Sequence, residues 1–263
     1  MIRFSVITIV RNDVVGVIRT LKSVFEQTYE NFELIVQDGA STDGTSEILL
    51  GFEDRIDDLT IEQDDGIYDA MNRALKKATG EYCIFMNAAD FFFDNKVLER
   101  VAKLIDPKTD DIWAGQAIGD ERGTVHKYRP PEQFWAGSTF DHQASFIRTS
   151  LMKELAYDTR YKISGDLHFF TRARKRGAQI KYDQTIIARK PFAVGASSGF
   201  TDRVRDRLVM LEKAWGDVYP VRKLIEREMR AHMAKSHDID PDLLGAMMLD
   251  DLLDTDDGWR QRL

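Results

Sequence analysis

Three nearly continuous apolar runs constrain this chain more than any other feature: "RFSVITIV" (3–10), "FELIV" (32–36) and "EYCIFM" (81–86). "RFSVITIV" is rich in β-branched residues and reads as a strand covered on both faces of a parallel sheet, with "FELIV" as the second strand and "EYCIFM" as the fourth, also buried. Helical spacings separate them. Asn12 or Asp13 is placed to cap a helix on which Val14, Val17, Ile18, Leu21, Val24 and Phe25 recur. Ile48, Leu49 and Phe52 mark a short helix, and "DLTIEQ" (58–63) is a weaker strand candidate. "GIYDAMNRALKKATG" puts Ile67, Met71, Ala74, Leu75 and Ala78 on one face and stops at Gly80. Val97, Leu98, Val101, Leu104 and Ile105 mark another helix. Repeated β-α-β units of this kind predict an α/β fold with a doubly wound sheet, which binds ligands beyond the carboxyl ends of its strands.

After residue 110 the pattern changes to mixed strands, "DIWAGQAIG", "TVHKY", "QASFIR" and "QIKYDQTIIAR", with one intervening helix, "GDLHFFTRARKRG". From Thr201 onward the chain reads as helical, over 201–215, 219–236 and 241–253. A net charge of −7 argues against nucleic acid as a partner, since such affinity comes from clustered Lys and Arg. No run of 18 or more apolar residues is present to span a membrane. The N-terminus reads as a first strand and not as a signal peptide. The single cysteine, Cys83, has no partner for an internal disulfide, which fits a cytoplasmic setting.

Chemistry concentrates where the strands end. Asp38, Asp64 and Asp90 end or follow three successive strand candidates, with Arg11–Asn12 after the first, and the topology converges them on one crevice. Carboxylates so placed accept hydrogen bonds from a base or ribose, or hold a divalent cation against phosphates. Asp38 and Asp43 in "DGASTDG" have a plainer reading as turn formers.

"SVITIVRND", "QTYENFELIVQDGASTDGT", "DDGIYDAMNRALKKATGEY" and "FMNAADFF" together resemble a family 2 glycosyltransferase of the GT-A fold, in the order and spacing of its bacterial surface-polysaccharide branch. "FDHQASFIR" and "YKISGDLHFFTRA" resemble its later motifs, so the likeness runs from about residue 3 to residue 200. It implies a GT-A domain over 1–200, with a nucleotide-sugar half (1–110), an acceptor half (111–200) and a helical extension (201–263). It also implies inverting transfer of a hexosyl or N-acetylhexosaminyl group from a nucleotide-diphosphate donor, UDP above all. The acceptor would be a hydroxyl of a lipid-linked or growing surface glycan.

Carried over by the resemblance, Arg11 and Asp38 line the nucleobase and ribose pocket, and Asp64, Asp69 and Asn72 lie on the segment closing over the nucleotide. Asp90 matches the last acid of the family's acidic motif and would contact the Mn²⁺ or Mg²⁺ that bridges the diphosphate, with Asn87 beside it. Where the family usually has an Asp, this chain has Ala89, which implies weaker metal affinity. Asp166 matches the family's base, at a helix N-terminus that suits a carboxylate's negative charge; the plainer reading is a capping aspartate. His142 and His168 fall on the acceptor side, though His168 reads more readily as a structural histidine. Arg189, with Lys190, belongs to a loop resembling one that covers the donor, or to an ordinary solvated loop.

Two readings from other classes stand beside this one. A non-catalytic member would use the nucleotide fold to bind or scaffold within a polysaccharide assembly, which Ala88–Ala89 favours and the intact Asp166 opposes. A nucleotidyltransferase would need a Gly-rich, basic loop after the first strand, and "VRNDVVG" offers little of that. The helix near "VRKLIEREMRAHMAK" carries Val221, Leu224, Ile225, Met229 and Met233 on one stripe. It can pack on the domain, form a homodimer, or rest peripherally on the inner face of the plasma membrane.

Overall fold

A computed structural model describes residues 1–119 and 141–191. The chain runs β1 (Phe4–Val10), α1 (Val14–Phe25), β2 (Phe32–Asp38), α2 (Thr45–Leu50), β3 (Asp58–Ile61), α3 (Ile67–Lys77), β4 (Tyr82–Phe85), β5 (Phe91–Phe92), α4 (Val97–Leu104) and β6 (Ile112–Gly119). It resumes with β7 (Ser145–Arg148), α5 (Thr149–Leu155), α6 (Gly165–Lys175) and β8 (Ile180–Lys190).

These strands form one mixed sheet in the order β3-β2-β1-β4-β7-β6-β8-β5. The first four are parallel. β7 is antiparallel to both β4 and β6, β8 is parallel to β6, and β5 is antiparallel to β8. The carboxyl ends of β1, β2, β3, β4, β6 and β8 therefore share one edge of the sheet. The amino end of reversed β7 meets them there.

Every residue of β1 is buried. Phe4, Val6 and Val10 pack with Val17, Leu21 and Val24 of α1 and with Val97, Leu98 and Val101 of α4. Ile7 and Ile9 pack on the other face with Met71, Ala74 and Leu75 of α3 and with Phe169 and Phe170 of α6. Helices on both faces leave β1 no solvent side, which is why its apolar run does not alternate. Asp13 caps α1, accepting from the Gly16 amide at 2.8 Å. Asn12 instead turns into the left-handed region (φ 53°) and accepts from the Thr42 amide at 2.8 Å.

Several elements differ from the sequence expectation. β3 stops at Ile61, and β7 starts at Ser145 because His142–Ala144 form a 3-10 turn. Two helices, not one, lie between β7 and β8; α5 is seven residues long and offers little periodicity. β5 is only two residues long, too short for a pattern. The expected strand "TVHKY", the Gly/Ser-rich loop from Phe192 and the helices of 201–263, with the dimer or membrane contact assigned to them, lie outside the described residues. Among the described residues no helix is long and apolar enough to cross a membrane.

Candidate active site

The nucleotide-side residues meet around Gly39, directly after β2. A methyl group there would lie 2.5 Å from Asp64 Oδ2 and 3.2 Å from Arg11 Cδ, so glycine lets both side chains close over the backbone. Arg11 is exposed and Asp64 is buried, its Oδ1 accepting from the Gly66 amide at 2.9 Å. Asp38 is wholly buried and its carboxylate takes the hydroxyls of Ser41 and Ser46 and the Ser41 amide. It shapes the loop from Gly39 to Gly44, so the turn-forming reading of Asp38 describes its local contacts.

Two residues of the α3 segment make contacts within the protein. Asp69 pairs with Arg73 at 2.8 Å and accepts from the Asp65 amide at 3.0 Å. Burial raises its carboxyl, but those two partners outweigh that and hold it below its ordinary value. Asn72 donates to the Tyr157 carbonyl at 2.8 Å and accepts from the Tyr157 amide at 2.9 Å, which braces the chain leading to α6.

Asp90, Asn87, His142 and Asp166 come together at the end of β4. The loop from Met86 to Asp90 continues beside β1, with the Ala88 amide on the Ile9 carbonyl at 3.0 Å. Thr20 of α1 pins it: its hydroxyl lies 2.6 Å from the Asp90 carbonyl and 3.2 Å from that of Asn87. Ala89 takes φ 74° to make the turn. His142 opens the 3-10 turn before β7, its Nδ1 3.4 Å from Asp166 Oδ2 and its Nε2 3.3 Å from Asn87 Nδ2. Asp166 lies in the first turn of α6, with Oδ1 accepting the Leu167 amide at 2.7 Å; Ser164, and not Asp166, occupies the cap position.

Charge is dense here. Burial pushes the Asp90 carboxyl up to about 7, against His142, Gln143 and Lys190, which favour the anion. Burial lowers the His142 imidazole, but Asp166, Asp90 and Asp141 outweigh it and raise the group. Lys190 reaches the same cluster and pairs with Asp141 at 2.6 Å. Asp141 was not among the residues singled out by sequence; it precedes His142 in "DHQASF", and only the reversal of β7 brings it to the crevice. Arg189, beside Lys190 on β8, lies over the Phe93 ring at 5.1 Å.

His168 stands apart from this chain of contacts. Its ring stacks on Tyr161, with centroids 4.4 Å apart, and burial followed by Arg172 pushes it down to about 4.

The described residues contain no group of three or more His, Cys, Asp or Glu able to hold a metal by themselves. Oxygen donors are nonetheless present. Asp90 is a buried carboxylate, and Asn87 Oδ1 is buried without a protein partner. Mg²⁺ and Mn²⁺ at nucleotide sites use one or two protein oxygens and complete their shell with phosphates and water, so this donor set fits such an ion.

Comparison with known proteins shows the fold and the family. The PGL/p-HBAD biosynthesis glycosyltransferase of Mycobacterium bovis (strain BCG / Pasteur 1173P2) is 30% identical over 217 residues, 76% of this chain and 81% of that protein. The fold matches S. aureus TarS 1-349, solved with UDP-GlcNAc, at a TM-score of 0.67 and 20% identity, over 99% of this chain and 78% of that one. It spans 43% of the longer TarS structure. The mannosyltransferase PcManGT of Pyrobaculum calidifontis, solved with GDP-Man and Mn²⁺, matches at a TM-score of 0.64 and 18% identity, over 99% of this chain and 82% of that one. The fold is thus that of the GT-A glycosyltransferases, and the model of "Glycosyl transferase family 2" matches residues 5–183, from β1 into β8. With two thirds of its length inside that match, the chain belongs to glycosyl transferase family 2.

Proposed function

We propose that this chain is an inverting glycosyltransferase that takes a sugar from a nucleotide-diphosphate donor, UDP-linked, and passes it to a hydroxyl of a lipid-linked or growing surface glycan. One observation carries the reading: Asp90 and Asp166 flank His142 at one mouth of the sheet, a buried acid on the nucleotide side and a more open acid facing it. Support for UDP comes from the TarS 1-349 complex with UDP-GlcNAc.

In this reading Arg11 and Asp64 hold the nucleoside around Gly39, and Asp38 acts through the loop it organises. Asp90 and Asn87 Oδ1 would hold the divalent ion, which offsets the charge developing on the departing diphosphate. Lys190 and Arg189 lie on the diphosphate side. Asp166 takes the proton of the acceptor hydroxyl. The hydroxyl oxygen forms its bond to the anomeric carbon on the face opposite the diphosphate, the carbon–oxygen bond to phosphate breaks, and configuration inverts. The sugar is a hexosyl or N-acetylhexosaminyl group, and the protein works at the cytoplasmic side of the membrane.

Calorimetry with UDP and GDP, with and without Mn²⁺, tests the reading on wild type and Asp90→Ala. Mn²⁺-dependent UDP binding that Asp90→Ala weakens at least tenfold is expected. A folded protein that binds neither nucleotide would instead be a non-catalytic scaffold, the reading that Ala88–Ala89 favours.

A further inference from the structure

His142 joins the acid assigned as base to the acidic loop of the nucleotide side. Its ring spans from α6 to the β4–β5 loop, through Nδ1 to Asp166 Oδ2 at 3.4 Å and Nε2 to Asn87 Nδ2 at 3.3 Å. Both partners are held from behind. Asp166 Oδ1 accepts the Leu167 amide at 2.7 Å, and the Asn87 carbonyl takes the Asp90 amide at 2.9 Å.

Hydrogen-bonding capacity then fixes the tautomer. A carboxylate only accepts, so a neutral imidazole facing Asp166 carries its proton on Nδ1. The acids that raise the imidazole also favour the charged form, which presents the same Nδ1–H to Asp166. In the neutral ring Nε2 is left as an acceptor and takes an N–H from Asn87. That orientation makes Oδ1 the end of the Asn87 amide with no protein partner. Exposure separates the two roles: the Asp166 side chain keeps 30% of its surface accessible, that of His142 only 16%. An acceptor hydroxyl reaches the carboxylate while the ring lies behind it.

We propose that His142 is a positioning residue for the transfer reaction, its Nδ1–H holding Asp166 Oδ2 in one rotamer while Asn87 fixes the ring. This rests on the assignment of Asp166 as base, and it replaces the acceptor-side role suggested by the motif "DHQASF". A carboxylate in the first turn of a helix otherwise swings between rotamers, and a base displaced by about 1 Å loses on the order of 100-fold in rate without losing donor affinity.

Isosteric variants separate the two ends of the ring. Asparagine places an N–H near the position of Nδ1, whereas glutamine reaches the position of Nε2. UDP release from UDP-glucose and UDP-GlcNAc, with Mn²⁺ and water as acceptor, is measured for wild type, His142→Asn, His142→Gln, His142→Ala and Asp166→Asn. His142→Gln and His142→Ala are expected to lose roughly 30- to 100-fold in kcat at a donor KM within about twofold, with His142→Asn retaining most of the rate. A glutamine variant as active as the asparagine one, or a loss confined to KM, overturns the proposal. Asp166→Asn at wild-type rate overturns the base assignment instead. NMR of ¹⁵N-histidine-labelled wild type, with the His142 ring identified by its loss in His142→Asn, decides the geometry independently of turnover. A protonated Nδ1 is expected, and a neutral ring protonated on Nε2 overturns the proposal.

Discussion

The Tyr68 ring packs so closely on Gly165 that a methyl group added at the glycine would lie 2.7 Å from Tyr68 Cε2. The Tyr68 hydroxyl also donates to the Ile163 carbonyl at 2.6 Å. Together with the Asn72 clamp on Tyr157, these contacts tie α3, whose entry carries Asp64, to the start of α6, which carries Asp166. Gly165→Ala forces the ring or the helix to move. It is expected to cost about 1–3 kcal/mol in urea unfolding, the range for overpacking a filled interior. A variant as stable as wild type would show that the two helices are free to part.

Ala89 turns the chain between Asn87 and Asp90 at φ 74°, where a Cβ is disfavoured. Glycine adopts that region freely, so Ala89→Gly is expected to stabilise the fold by about 0.5–1 kcal/mol, partly offset by the extra freedom of glycine in the unfolded chain. Chemical denaturation reads it directly, and a destabilised variant would sink the argument. The alanine in place of an acid therefore also carries a backbone cost that its small side chain does not reveal.

The parallel half of the sheet was readable from sequence because β1 and β4 are buried on both faces and leave unbroken apolar runs. The convergence of Arg11 and Asp64 was readable too, since both follow strands of one parallel set. What was not readable depends on direction and length. His142 and Asp166 are 24 residues apart, and they meet only because β7 runs backwards and brings its amino end to the crevice. Nothing in the spacing of Asn72 distinguishes a ligand contact from a clamp on Tyr157, because an amide serves both equally well. The seven residues of α5 and the two of β5 are too few to show a period.

Glu33 ties the opposite end of the sheet together. Its carboxylate accepts from the Ser5 hydroxyl, from the amide and hydroxyl of Thr79 and from the Gly80 amide at 3.0 Å, with Arg3 at 3.3 Å. Burial raises the carboxyl, and these donors outweigh it and hold it below its ordinary value. The folded state thus binds this proton less readily than the unfolded chain, so the stabilisation is full above the unfolded value and fades as pH falls through the folded one. Glu33→Gln is expected to be less stable at pH 7 by roughly 1–3 kcal/mol, since it leaves donors facing one another. Its stability should also fall less steeply than that of wild type between pH 5 and pH 3. Parallel acid limbs in the two proteins would mean that Glu33 is not the titrating group.

His168 gives the opposite sign of charge and a different pH window. Its Nδ1 is buried without a protein partner, its ring stacks on Tyr161, and its imidazole is pushed down to about 4 by burial and then by Arg172. In the unfolded chain the same ring titrates near its ordinary value of about 6.5. Between those values the unfolded state binds the extra proton, so stability rises with pH across the window and is lost as pH falls from about 6.5 toward 4. His168→Phe keeps the stacking and removes the titration. Because the ring is partly open to solvent, the difference is discounted to about 1 kcal/mol: wild type should lose that much more than the variant between pH 7.5 and pH 5, by urea denaturation. Equal losses in the two proteins would show that the ring is solvated enough to titrate normally in the fold. That result would return His168 to the open acceptor side, where its place two residues from Asp166 first suggested it.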